Sequence, residues 1–287
     1  MQEAGDSAAL VVVATPLGNL GDITRRAVEV LGGAETIYCE DTRRTRTLLS
    51  ALGIAAAGRL VALHEHNEVL LSARVVADVA AGKTVALVSD AGTPGISDPG
   101  ARVVAAVAGA GLVVTTTPGA SAVVAALSVS GLRTERFAMD GFVPRKAGER
   151  RELYDAWARE ERTIVAFESP QRLRRTLAEL AEIFPARRVA IVRELTKIHE
   201  EVLRGTLAEV SERVGSREVR GEIVIILDGA TRAPLEDSLV RAALAERLGA
   251  GQSLRDAVAG VVTDLGVTHR EAYEMALATR RARDVIH

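Results

Sequence analysis

Cysteine, lysine and aromatic residues are all scarce in this chain. The single cysteine, Cys39, excludes any intramolecular disulfide, and no CxxC pair or Cys/His array offers a zinc site. A reducing cytoplasm is the expected setting. The apolar runs are only strand-length and the opening stretch Met1–Ala9 is acidic and polar, so neither a membrane span nor a secretory signal is expected. Neither sign of charge is in excess: 36 Lys plus Arg face 38 Asp plus Glu, which gives the whole chain no pull toward nucleic acid. Any such role must rest on local clusters. Aromatics are 3% of the chain, leaving few side chains for stacking on bases. Also missing are a GxGxxG after the first strand and a GxxxxGK[ST], so a polyphosphate ligand would be poorly served.

What is present is a 287-residue chain, 48% apolar, which rules out disorder and is long enough for a sizeable core and more than one domain. Short β-branched runs at Leu10–Thr15, Thr36–Glu40, Leu60–His64, Thr84–Asp90 and Leu112–Thr117 alternate with helical patterns. That alternation predicts a mostly parallel sheet covered by helices on both faces. Strands resume at Phe137–Phe142, Thr163–Ser169, Arg188–Glu194, Glu201–Arg204 and Glu222–Asp228. Only six residues part Glu194 from Glu201, too few for a crossover helix, so a hairpin and a mixed second sheet are expected. From Pro234 on, Leu235–Leu248, Leu254–Leu265 and His269–Arg281 read as three helices, with Ser253 and Thr268 as N-caps. The fold class is therefore α/β, in three parts. Residues 1–131 form an N-terminal α/β domain, 132–232 a second α/β domain with a mixed sheet, and 233–287 a helical extension. That extension is patterned like a helix-turn-helix, which serves equally as a nucleic-acid reader or a packing appendage.

Three loops, Thr15–Asn19, Ala91–Gly100 and Thr117–Ala122, each follow an apolar strand and combine proline with glycine. In a parallel sheet the carboxyl ends lie on one edge, where open α/β folds bind ligands. The second loop brings carboxylates, Asp90 and Asp98, rather than lysine. A ligand with cationic groups, met by backbone, a carboxylate and apolar walls, suits such loops, and S-adenosylmethionine is one.

The strings ATPLGNLGDIT (Ala14–Thr24), CEDTRRT (Cys39–Thr45), SDAGTPGISDPG (Ser89–Gly100) and PGASA (Pro118–Ala122) carry a resemblance. Together with DGFVPRK (Asp140–Lys146), FESP (Phe167–Pro170), RELTK (Arg193–Lys197) and Gly221-Glu222, they resemble the ribosomal RNA small subunit methyltransferase I family. That family belongs to the tetrapyrrole methylase superfamily, whose members are class III S-adenosylmethionine methyltransferases. The long loop Ser89–Gly100 separates this branch from its small-molecule relatives. The resemblance implies a fold of two α/β domains of the tetrapyrrole methylase type plus the C-terminal helical appendage. It implies 2′-O-ribose methylation of a decoding-centre cytidine in 16S rRNA of the 30S subunit, by a homodimer. It places cofactor contacts at Leu17, Asp90, Thr93, Pro94, Ile96, Ser97, Ser121, Ala122, Phe167, Gly221 and Glu222.

Transfer from a sulfonium needs alignment and a dry pocket, and no metal is called for. Carboxylates near strand ends that could take the hydroxyl proton are Glu40, Asp41, Glu168 and Glu194, and spacing alone does not choose among them. Arg43, Arg44 and Arg46 crowd a first helical turn, where positive charge opposes the helix dipole. Either they form a solvated face, or Arg43 and its neighbours hold phosphate while Asp41 or Glu40 orients the ribose hydroxyl. A second cluster, Arg133, Arg136, Arg145, Lys146, Arg150 and Arg151, could track an RNA backbone, although Glu135, Asp140, Glu149 and Glu152 dilute it. His64-Glu65-His66 shows no third ligand, so no metal is expected. Two rival functions stand: a small-molecule methyltransferase of the same fold, and a cofactor-binding ribosome-assembly factor without catalysis.

Overall fold

A computed structural model describes residues 8–56, 58–215, 217–231, 237–265 and 267–284. The acidic opening up to Ser7, the boundary at Pro234, the helix start at Leu235 and the turn glycine Gly266 lie outside those residues. One compact unit runs to Ala230 and carries two five-stranded sheets; Thr231–His287 is a second unit.

The first sheet comprises β1 (Leu10–Val13), β2 (Thr36–Cys39), β3 (Leu60–Ala62), β4 (Val85–Val88) and β5 (Val114–Thr117), all parallel in the order β3-β2-β4-β1-β5. Its helices are α1 (Arg25–Gly33), α2 (Thr42–Ala51), α3 (Glu68–Ala80) and α4 (Ala101–Gly109). The two-residue period of a strand explains why both faces are apolar. Val11 and Val13 pack with Leu31 of α1 and Leu49 of α2, whereas Leu10 and Val12 pack with Val75 of α3 and Val103 of α4. The result is three layers.

Helix α5 (Ala122–Ser130) is apolar almost all round, a pattern that demands burial on more than one side. It finds that burial against the second sheet, where Val123, Ala126 and Leu127 pack with Val165, Ala190, Val192, Val224 and Ile226. This sheet holds β6 (Phe137–Phe142), β7 (Thr163–Glu168), β8 (Arg188–Arg193), β9 (Glu201–Thr206) and β10 (Ile223–Leu227), ordered β6-β7-β10-β8-β9. It is mixed: β6 and β7 run parallel, the remaining pairs are antiparallel, and β8–β9 is the expected hairpin. Helices α6 (Ala147–Trp157), α7 (Pro170–Ile183) and α8 (Leu207–Gly215) cover its other face around Trp157, Leu173, Leu177 and Leu207. Central β10 is buried at all five positions, which at roughly 1.5–3 kcal/mol per large apolar side chain makes it a mainstay of the sheet.

The second unit is three helices, α9 (Asp237–Gly249), α10 (Leu254–Leu265) and α11 (His269–Asp284), around Val240, Leu244, Val258, Val261, Ala272 and Ala276. Both expected caps form. The Ser253 hydroxyl accepts from the Asp256 amide (3.1 Å). Thr268 and Glu271 make a reciprocal capping box at 3.2 and 3.0 Å.

Candidate active site

Because β4, β1 and β5 are neighbours, the loops that leave their carboxyl ends emerge side by side. Backbone bonds weld them together: Thr15 and Gly92 exchange N–H···O bonds of 2.9 and 3.0 Å, and the Thr93 hydroxyl donates to the Ala120 carbonyl at 3.1 Å. The Thr15 hydroxyl adds a bond of 3.2 Å to the Ser89 carbonyl.

Between these loops and the second sheet lies a cleft of about 390 Å³. Its first wall is lined by Leu17, Glu40, Asp90, Thr93, Ile96, Asp98, Ser121 and Ala122, and its second by Phe167, Val192, Leu195, Gly221, Glu222 and Val224. Three non-glycine residues adopt left-handed backbone among the described residues, Ser97 (φ 64°), Glu194 (φ 52°) and Thr196 (φ 65°), and all sit in loops bordering it. Strain of this kind persists only where the surroundings impose it.

The first wall is acidic. Burial pushes the Asp98 carboxyl up to about 6; the charges of Glu40 and Asp90 add to the rise, and a hydrogen bond with Ser89 opposes it. Glu40 is raised as well, by burial first and the neighbouring Asp90 second. Asp90 meets Arg44 at 3.4 Å and accepts the Asp41 amide at 3.1 Å. On the second wall Glu194 is a hub: it accepts Lys197 Nζ at 2.8 Å and the Glu222 amide at 3.0 Å, while Lys197 also reaches Glu222 at 3.2 Å. Gly221 has φ +91°, and a Cβ there would lie 2.4 Å from the Glu194 carboxyl, so only glycine fits against this hub.

A family model described as Tetrapyrrole (Corrin/Porphyrin) Methylases matches residues 9–211, which include both walls except Gly221–Val224. The chain belongs to the tetrapyrrole methylase family. Within it, the relatives of high identity are named Ribosomal RNA small subunit methyltransferase I. The one from Halalkalibacterium halodurans is 41% identical over 280 residues, 96% of each chain, and that from Mycobacterium tuberculosis is 44% identical over 277 residues, again 96% of each. The Neisseria meningitidis serogroup B protein is 48% identical over 232 residues, 79% of each chain. Among solved structures, diphthine synthase matches with a TM-score of 0.58 at 15% identity, covering 77% of this chain and 89% of its own. Cobalt precorrin-4 methyltransferase matches with 0.55 at 16%, covering 77% and 95%. At such identities the two structures speak for the fold alone.

In this methylase cleft the structure gathers Leu17, Asp90, Thr93, Ile96, Ser121, Ala122, Phe167, Gly221 and Glu222. Pro94 and Ser97 belong to the same loop without lining the cavity. Of the acid and arginine candidates, Glu40, Glu168 and Arg44 line it, and Glu194 does not. Asp41 does not: its carboxylate caps α2 through the Arg43 amide (2.8 Å) and pairs with the Arg43 side chain (2.8 Å), which hold it well below the usual carboxylate range. Arg43 is therefore already partnered, its side chain 85% exposed. The misplaced charge at the start of α2 finds anions within the chain itself, Asp41 for Arg43 and Asp90 for Arg44. Arg46, Arg145 and Lys146 are exposed and outside the cavity. In the second basic cluster, Arg150 is buried, paired bidentately with Glu179 at 2.7 and 2.9 Å, so it serves the fold and faces no solvent.

Glu168 lines the cleft yet is fully committed, to Arg172 at 2.5 Å, the Thr176 hydroxyl at 2.7 Å and the Ser169 amide at 2.6 Å. Asp98 is the carboxylate whose role the motif reading left unassigned. Val192 and Val224 gave no signal at all, because strand residues on the ligand side of a sheet are spelled like any other core residue, whereas Leu195 falls inside the RELTK string just after β8.

Proposed function

We propose that this chain transfers a methyl group from S-adenosylmethionine to the ribose 2′-hydroxyl of a cytidine in the decoding centre of 16S rRNA, on the small ribosomal subunit. The observation that carries the reading is the two-sided cleft, with the raised carboxyls Glu40 and Asp98 on one wall and the largely apolar strands of the second sheet on the other, in a chain similar over most of its length to proteins named Ribosomal RNA small subunit methyltransferase I. A cytoplasmic homodimer belongs to the same proposal.

The donor set fits the cofactor. Leu17, Phe167 and Val224 offer apolar contact for a flat purine and a thioether chain, and acidic groups with welded backbone offer partners for cationic and hydroxyl groups. Leu17, Asp90, Thr93, Ser121, Ala122, Phe167, Gly221 and Glu222 would hold it, with Pro94 and Ser97 shaping the loop. S-adenosylmethionine, when bound, supplies a methyl group on a positively charged sulfur.

The protein's own tasks are then alignment, exclusion of water and removal of one proton. Asp98 takes the proton from the ribose hydroxyl, because its carboxyl sits near neutrality in the cleft while Asp41 is locked to Arg43 and Glu168 to Arg172. Glu40, raised by burial and by the charge of Asp90, lines the same wall and adds to the rise of Asp98. Arg44, 65% exposed and only loosely paired with Asp90 at 3.4 Å, would exchange that partner for a phosphate of the RNA.

Labelled methyl transfer to 30S subunits lacking the modification, to naked 16S rRNA and to a tetrapyrrole tests the reading. Label on a ribose of the 30S particle is the expected result. Label on the tetrapyrrole instead assigns the small-molecule activity, and cofactor binding without turnover on any acceptor assigns the assembly factor.

A further inference from the structure

Phe142 is an exposed aromatic ring in a chain that has few of them. It lines the cleft on the side of the second sheet with 59% of its surface exposed, and Ile96, 49% exposed, lines the same cleft from the Ser89–Gly100 loop. A β-bulge explains the placement: the β6–β7 register shifts between Met139 and Phe142, with Gly141 at φ +71°. A Cβ on Gly141 would lie 3.6 Å from Ser97 Oγ, so the bulge seats the edge strand against that loop and turns the next side chain outward.

The ring does not float. It leans on Phe167 with centroids 5.3 Å apart and planes at 54°. The backbone after it is clamped: the Val143 amide donates to the Phe167 carbonyl (3.0 Å), Arg172 donates to the Val143 carbonyl (2.9 Å), and buried Arg150 donates to the Arg145 carbonyl (3.0 Å). A rigid apolar ring held open to solvent beside the cleft, followed three residues on by the exposed cation Arg145 and then by Lys146, which is paired with Glu149 at 2.8 Å on the surface, matches a flat apolar ligand on an anionic chain.

We propose that Phe142, with Ile96 across the cleft mouth, is a stacking platform for a nucleobase of the RNA substrate and so a specificity-determining contact. The proposal rests on the RNA-methyltransferase reading and names how that site would grip its acceptor. Burial inside the pocket is not required of the ring, and its open face is the binding face.

The test is Phe142→Ala, Phe142→Tyr and Phe142→Trp in the full chain. Phe142→Ala is expected to raise KM for 30S subunits by about tenfold to a hundredfold, as loss of one base–aromatic stack does, with the Kd for S-adenosylmethionine within about twofold of the parent. Phe142→Tyr should restore KM, since it keeps the ring. In Phe142→Trp the added indole should be quenched by a single-stranded 16S rRNA fragment and not by S-adenosylmethionine alone. Quenching or lost affinity with S-adenosylmethionine overturns the proposal by giving the ring to the cofactor, and an unchanged KM for Phe142→Ala overturns it outright. Quenching by a tetrapyrrole but not by RNA also overturns it. If the parent protein methylates no RNA while RNA still quenches the indole, the platform stands and the reaction reading falls.

Discussion

The two walls of the cleft are built on opposite plans. The first is raised on loops, where a parallel sheet ends: it owes its shape to backbone bonds between Thr15 and Gly92 and between Thr93 and Ala120, and it carries the titrating carboxylates Glu40 and Asp98. The second is mostly the flat of a mixed sheet, where Phe167, Val192 and Val224 offer surface and little charge. Loops can place a charge where water is scarce because their geometry is adjustable, and strands can present a continuous apolar face because theirs is not. On the proposed reading, the first wall carries the chemistry and the second the fit.

The sharpest way to break that division is Asp98→Asn, which should lower kcat by about a hundredfold to a thousandfold while leaving cofactor affinity intact. In the parent enzyme kcat should rise with pH through about 6 and level off above it, because the ionised carboxyl accepts the proton. The same group has a predicted stability signature. Its folded value of about 6 lies above the ordinary unfolded value of ~3.9, so ionised Asp98 opposes folding, increasingly as pH climbs through that window. Asp98→Asn should therefore melt about 2–4 °C higher at pH 7.5, and no higher at pH 3.5, where both states of the parent carry the proton. A loss of cofactor affinity on this substitution would dissolve the distinction between the walls.

Next in size, Phe167→Ala should weaken S-adenosylmethionine binding by about tenfold, read by calorimetry, with kcat at saturating cofactor falling much less. A large kcat defect at saturation would place chemistry on the second wall. Smaller again, Arg44→Ala should raise KM for 30S subunits about three- to tenfold and flatten its dependence on salt. The smallest effect belongs to Arg43→Ala: an exposed arginine already paired with Asp41 should change KM by about twofold at most. Equal effects of the two substitutions would mean that α2 meets RNA as a diffuse cationic face.

The legibility of the two walls differs for the same reason as their roles. The first wall was readable because loops that bind backbone-close ligands need proline, glycine and threonine at fixed places, and such wording stands out. The Asp41–Arg43 pair was not readable, since a side chain folding back two residues to cap its own helix is spelled like a free acid beside a free base. Arg150 looked like part of a basic patch, and only the packing of α6 on α7 against Glu179 shows it to be buried. On the second wall the continuous apolar runs of β7, β8 and β10 announced strands, and nothing in them told which residues would face a cavity and which a helix.

By itself, then, the sequence determined the alternation of strands and helices, the mixed second sheet, the three terminal helices with their caps and the three loops at one sheet edge. These follow from local periodicity, turn chemistry and the rule that parallel strands end on a common side. Tertiary structure alone decided that α5 would bury itself on the second sheet, that Asp98 would share its surroundings with Glu40 while Asp41 turned away, and that Gly141 would come to rest against Ser97 with Phe142 leaning on Phe167. Those outcomes depend on contacts between residues tens of positions apart, where burial, charge and close packing are set by neighbours that no local pattern encodes.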